Sequence, residues 1–190
     1  MSDSKSAEKL LPLLQQAREQ YPQYVDFPTA IVSVSEQTLS LFEKDSFVCS
    51  YPVSTSRHGV GQQEGSYQTP IGVHCIKEKI GAEAEYAEIF LSRVRTNSLA
   101  SIEHEAVCTE VECITSRILW LEGLEEGFNK AKNSEGHNVD SYERYIYIHG
   151  THEEGLIGQA ASIGCVRMKN ADVIDLFDKL LVSSLVIIKN

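Results

Sequence analysis

The chain predicts a mainly β fold with one helix at its N-terminus and another behind a cysteine turn near its C-terminus. Three observations carry that expectation. From Thr29 onward, apolar residues recur with a period of two in short runs rich in β-branched side chains. Helical spacing is confined to residues 6–20 and 171–181. Glycine, asparagine and acidic residues punctuate the runs between them.

In order, Leu10, Leu13, Leu14 and Ala17 share one face of an expected amphipathic helix over 6–20, which docks by default on the rest of the chain. Alternation over 31–34, 38–42 and 47–53, with Glu36-Gln37 and Lys44-Asp45 at the turns, predicts three strands of a meander. The segment 57–66 is glycine-rich. Its Gly59-Val60-Gly61 lacks the Lys-Ser/Thr and the following helix of a phosphate loop, so it reads as a mobile loop beside a site. Further strands are expected around 71–76, 89–94, 113–121 and 144–149. The polar stretch 122–142 reads as a long loop or lid. Asn170 is expected to cap a helix over 171–181 with Val173, Ile174, Phe177 and Leu180 on its apolar face, and 184–188 closes the sheet.

With 190 residues, 42% hydrophobic and 23% charged, the composition is that of ordinary globular protein with enough chain for a substantial core. The organisation expected is an N-terminal helical extension over 1–28 and a main domain over 29–190. A formal net charge of -10 argues against nucleic-acid binding, which needs a basic footprint to displace phosphate counterions. No apolar run is long enough to span a bilayer, and no secretory signal precedes the first helix. The expected location is therefore cytoplasmic, or periplasmic if a leader has been removed. Cys49, Cys75, Cys108, Cys113 and Cys165 are odd in number and lack the spacing of a disulfide framework, which fits a reducing compartment.

The chemistry concentrates in two places. Tyr147-Ile148-His149-Gly150-Thr151 is followed by Ser162-Ile163-Gly164-Cys165-Val166-Arg167-Met168, setting a histidine and a cysteine at two glycine turns. A thiol attacks a carbonyl as thiolate, and an imidazole within reach can take its proton and return it to a leaving amine. Gly164 lets the backbone amides around Cys165 converge on an oxyanion. A zinc site from His149, His152 and Cys165 is disfavoured, because the His-x-x-His spacing falls on a turn and no second cysteine lies nearby. His152 reads as a loop residue exposed near the cleft. His58, His74, His104 and His137 read as surface or packing residues. Arg117 and Trp120, on one expected strand, either face the cleft or serve in packing.

These motifs resemble those of the L,D-transpeptidase catalytic domain family (YkuD-like), whose signature is His-Gly-Thr, a loop, then Ser-x-Gly-Cys-x-Arg. Thr69-Pro70-Ile71-Gly72-Val73 and Tyr51-Pro52-Val53-Ser54-Thr55-Ser56 are similar to upstream family blocks, and the likeness extends over roughly 29–189. Residues 115–125 and 140–145 also look like blocks of one proteobacterial branch. The resemblance implies a β-sandwich or barrel-like catalytic fold with Cys165 as nucleophile, His149 as base and the Gly150 carbonyl orienting the imidazole. It further implies that the Cys165 and Gly164 amides form the oxyanion hole and that Arg167 holds the loop or a substrate carboxylate. Ser162 and Thr151 also match. Ile163 departs from the His or Lys usual at its position.

The implied substrate is the peptidoglycan tetrapeptide stem or a muropeptide, attacked at meso-diaminopimelate with D-alanine leaving and a thioester remaining. Carbapenem-type inhibitors are implied to acylate the same thiol. No cofactor or metal is required. Water as acceptor makes an L,D-carboxypeptidase of muropeptide recycling, favoured by the cytoplasmic expectation. An amine makes a cross-linking L,D-transpeptidase of the periplasm, and a pocket without turnover makes a muropeptide-binding sensor.

Overall fold

The computed structural model describes residues 8–109 and 111–190. Ten strands form one hydrogen-bonded network: β1 (Thr29–Ser33), β2 (Thr38–Glu43), β3 (Ser46–Pro52), β4 (Gly72–Ile80), β5 (Glu88–Leu91), β6 (Val94–Leu99), β7 (Ile114–Gly123), β8 (Tyr147–Thr151), β9 (Val166–Met168) and β10 (Leu185–Lys189). Two α-helices accompany them among the described residues, α1 (Leu11–Gln20) and α2 (Asn170–Lys179).

The order β3-β2-β1-β10-β4-β7-β5-β6 makes β10 a late insertion, parallel to β1 and antiparallel to β4. The longest strand, β7, is the junction. Its residues Ile118–Gly123 pair with β4, Ile114 and Thr115 pair with β5, and its other edge carries β8, which in turn carries the short parallel strand β9. The network therefore folds over itself. Ala30, Val32, Leu39 and Leu41 from the first strands meet Ile148, Val166, Met168 and α2 residues Val173, Leu176 and Phe177 in one core.

All five residues of β1 are buried because both of its faces are covered. Ala30 and Val32 face the main core, whereas Ile31 meets Leu14 and Ala17 of α1 on the outside of the sheet. Burying a leucine such as Leu14 stabilises by roughly 2 kcal/mol, enough to hold a helix of ten residues that would not persist alone. Pro12 lies in the first turn of α1, where its missing N–H costs nothing, and Pro22 follows its end. The expected segment before residue 8 lies outside the described residues.

The meander and both its turns stand where expected, with Gln37 and Lys44 in left-handed conformation. The expected strand over 89–94 is instead a hairpin, β5–β6, reversing at Ser92 and Arg93, both at positive φ. Asn170 is not the cap of α2 but its first residue. Its backbone N–H takes the Glu154 carboxylate at 2.8 Å, and its side chain is buried between Thr115, Ser116 and Thr151. The stretch 122–142 is not a free lid: Asn129 is fully buried and bonds the Ile71 and Val73 carbonyls, tying the stretch to the start of β4.

Candidate active site

Strands β8 and β9 run parallel with Ile148 opposite Val166 and His149 opposite Arg167. Ile148, Val166 and Met168 face the core, so period two turns His149 and Arg167 to the other face. Continuing the register places Tyr147 opposite Cys165, and the Tyr147 N–H does reach Sγ at 3.4 Å. His149 thus stands diagonal to the thiol on one face.

Cys165 sits at the end of a stapled turn. Ser162 Oγ donates to the Cys165 carbonyl at 2.6 Å and accepts the Gly164 N–H at 3.2 Å, while Thr69 Oγ1 donates to the Gly164 carbonyl at 2.9 Å. Gly164 has φ +136°, which a side chain would resist. The Gly164 N–H therefore already has a partner. Of the two amides expected to form the oxyanion hole, the Cys165 N–H alone is uncommitted to another protein group.

His149 is 1% exposed, and burial pushes its pKa below the ordinary histidine value. Its Nδ1 lies 2.8 Å from the Gly150 carbonyl. A carbonyl only accepts, so Nδ1 carries the proton and Nε2 is left with the basic lone pair. The Gly150 carbonyl thus fixes the tautomer and orientation of the ring. A Cβ there would stand 2.6 Å from the Thr115 carbonyl oxygen, so the strand fits against β7 only without one.

The thiol differs from expectation. Burial pushes Cys165 up to about 12, with the Glu112 carboxylate adding to the rise. Sγ points its proton to the Tyr145 carbonyl at 3.5 Å, and no hydrogen bond joins it to the imidazole. Burial thus favours the neutral form of both groups, and no hydrogen-bonded thiolate–imidazolium pair is preformed.

Other expected site residues divide. Arg167 is 1% exposed and ion-paired to the equally buried Glu153 at 2.6 Å, with Ser54 Oγ at 3.2 Å and Glu112 at 3.5 Å. Its charge is neutralised inside the protein, which leaves it holding the loop. Ser162 is a staple, and Thr151 Oγ1 accepts the Glu153 N–H at 3.2 Å within the chain turn after β8. Trp120 lies near the site, stacked on Tyr142 with centroids 4.2 Å apart and edge-on to Tyr147. Arg117 does not join it. Three residues apart on a strand, the two point to opposite faces, and Arg117 bonds the Ala84 and Ser116 carbonyls with its guanidinium over Phe177.

His152 is buried rather than exposed. Nδ1 accepts the Cys113 N–H at 3.3 Å and Nε2 meets Thr109 Oγ1 at 2.9 Å. Thr109 also bonds Glu153 through its N–H and its hydroxyl. With the Glu103 N–H on the His152 carbonyl, this segment is strapped across the chain leaving β8. His149, His152 and Cys165 form no metal cluster, and no group of three or more such ligands converges among the described residues.

Cys165 opens into a cavity of about 290 Å³ walled by Glu64, Tyr67, Arg144, Tyr145, Ile163 and Gly164. The glycine-rich loop forms one side, where it was expected beside a site. Arg144 pins that loop by donating to the carbonyls of Gly61, Gln62 and Gln68. Arg144, Tyr145 and Glu153 were not singled out from the sequence. Only their presence in or beside family-like blocks hinted at them, because single residues in loops carry no periodicity.

This largely β fold sets the Cys165 thiol, at the turn into β9, on the same face as the His149 imidazole of the adjoining strand β8. The sequence matches the L,D-transpeptidase catalytic domain, YkuD, over residues 28–188, and the chain belongs to that family. Three solved structures with the same fold are LD transpeptidase LdtMt1 in complex with imipenem (15% identity, 86% of this chain, 59% of that one, TM-score 0.50), L,D-transpeptidase 3 from Mycobacterium tuberculosis with a faropenem-derived adduct (13%, 86%, 60%, 0.51) and Bd1075 of Bdellovibrio bacteriovorus (14%, 88%, 49%, 0.53). The chain spans about three fifths or less of the length of these three relatives. Comparison with curated protein sequences gives no match. No helix among the described residues is long and apolar enough to cross a membrane.

Proposed function

We propose that the protein is an L,D-carboxypeptidase that trims peptidoglycan tetrapeptide stems, as soluble muropeptides, in the cytoplasm. The observation that carries the choice of water is the burial of the base. His149 is 1% exposed, which favours a small acceptor such as water at Nε2 over the amine of a second, bulky peptide. Five unpaired thiols support a reducing compartment.

The substrate's meso-diaminopimelate carbonyl enters the cavity beside Cys165. Sγ leaves the Tyr145 carbonyl, His149 Nε2 takes the thiol proton and the S–C bond forms, with the oxyanion facing the Cys165 N–H. Collapse breaks the C–N bond, and imidazolium returns the proton to the departing D-alanine amine. Water then gives a proton to Nε2 as its oxygen attacks the thioester. The C–S bond breaks and the sulfur recovers the proton. The sum is tetrapeptide and water to tripeptide and D-alanine.

Incubating the protein with disaccharide tetrapeptide and weighing the products decides between acceptors. Tripeptide and free D-alanine are expected; cross-linked dimers, or exchange of D-alanine for an added D-amino acid, would establish the transpeptidase instead. Cys165→Ala is expected to abolish turnover. The thiol's bond to Tyr145 rather than to the imidazole favours one second reading, a muropeptide-binding sensor. Acylation of Cys165 by a carbapenem, seen as a mass adduct lost in Cys165→Ala, speaks for the enzyme, whereas peptide binding without any acylation speaks for the sensor.

A further inference from the structure

We infer that Arg144 is the specificity residue that anchors the C-terminal carboxylate of the departing residue, whereas the motif resemblance offered Arg167 as holder of the loop or of a substrate carboxylate. The inference rests on the peptide-trimming reading above and adds what makes the site prefer a free chain end.

Arg144 is the one cation among the residues walling the cavity into which Cys165 opens. Its guanidinium is held by three backbone carbonyls, at 2.7–3.3 Å, and no carboxylate lies within ion-pair distance of it among the described residues. Neutral acceptors fix the orientation of the fork without cancelling its charge. Arg167 is the contrast, with Glu153 and Glu112 already on it. Three bonds leave other N–H groups of the five on a guanidinium for a ligand, and a carboxylate is the group whose geometry matches that fork.

Position agrees. Arg144 immediately precedes Tyr145, whose carbonyl touches Sγ at 3.5 Å. In the substrate the terminal carboxylate stands roughly 4 Å beyond the carbonyl under attack, by standard bond lengths. The carboxylate of the γ-linked glutamate lies a further residue away on the other side. The rim carboxylates Glu64 and Glu143 share the Asn138 amide, so Arg144 is the positive group of an otherwise acidic mouth.

Binding is measured by calorimetry on Cys165→Ala protein with tetrapeptide ending in D-alanine and with the same peptide ending in D-alaninamide. The acid is expected to bind about a hundredfold more tightly than the amide, since a site built around a charge-assisted bond discriminates by that order. Adding Arg144→Gln is expected to weaken the acid by a similar factor, leave the amide within about threefold, and so erase the preference; Arg144→Lys restores part of it. A residue that merely staples the loop would weaken acid and amide alike, which overturns the inference. So does a preference that survives Arg144→Gln and disappears in Arg93→Gln or Arg167→Gln. Trimming by the Cys165 protein is scored separately: its failure removes the hydrolase reading, while the acid-to-amide ratio still decides the role of Arg144.

Discussion

At the residue scale, burial favours the neutral form of both groups of the proposed catalytic pair. Burial lowers the pKa of His149 and raises that of Cys165, so both shifts disfavour the ion pair and leave proton transfer to the moment of attack. Two consequences are measurable. The acid limb of kcat/KM, which reports protonation of the free base, is expected below the ordinary histidine value near 6.5, and an acid limb above it would contradict a buried base. Alkylation of Cys165 by iodoacetamide is expected to climb without a plateau through pH 9 in the resting protein. Arg167 gives the second residue-scale prediction. Glu153→Gln leaves its buried guanidinium without its main counter-charge, a loss of about 3–5 kcal/mol by the usual cost of breaking a buried pair. Thermal unfolding is expected to drop by roughly 10 °C for a chain of this size, and a shift of under 2 °C would show that Glu112 takes over.

At the scale of elements, what the sequence made legible was whatever repeats. β2 and β3 were readable because alternation survives noise, β1 and β10 because short apolar runs rich in β-branched residues read as strands, and the turn before Cys165 because chemistry restricts what can stand there, whereas Gly150, expected at a second turn, lies inside β8. β9 has three residues, too few for a period to show. The β5–β6 hairpin hides because Ser92 and Arg93 adopt left-handed conformation without the Asn-Gly pair that usually signals it. For Arg117 the packing alternative holds: positions 117 and 120 point to opposite faces, and the Arg117 guanidinium bonds the Ala84 and Ser116 carbonyls. Within the site, the identity of nucleophile and base was legible, whereas the Glu153 counter-charge and the Arg144 cradle depend on loops brought together from distant parts of the chain. The helix α1 allows a clean test of how elements divide labour. Leu14→Ala removes a fully buried side chain between helix and sheet and is expected to cost about 2–5 kcal/mol. Because α1 covers the face of the sheet turned away from the main core, kcat/KM below the melting transition is expected to stay within twofold. A larger fall would mean that the helix shapes the cavity.

Across the whole molecule, one buried histidine ties overall stability to pH and to the cavity wall. His74 of β4 is fully buried, with Nδ1 at 3.1 Å from the Gly72 carbonyl and Nε2 at 3.0 Å from Ser141 Oγ. Nδ1 must donate to the carbonyl, so Nε2 accepts from the serine in the neutral ring, and a second ring proton would reverse that bond, with Ser141 Oγ accepting and its own proton turned elsewhere. Burial, with the nearby Arg144 charge adding to it, lowers His74 to about 4. The unfolded chain takes up this proton near pH 6.5 and the folded one only near 4, so the unfolded state binds more protons in between and stability rises with pH. The histidine's full contribution is therefore present above 6.5 and is lost as pH falls towards 4, a change of about 3 kcal/mol from a shift of this size. His149, also lowered by burial, adds in the same direction. Melting temperature recorded between pH 7.5 and 4.5 is expected to fall for the native chain and to fall less for His74→Gln, which can keep one hydrogen bond without titrating. The slope, not the absolute stability, carries the test, since the substitution lowers stability at every pH. Parallel slopes would mean that carboxylates alone govern the acid transition and that His74 is protonated as easily inside the fold as outside it.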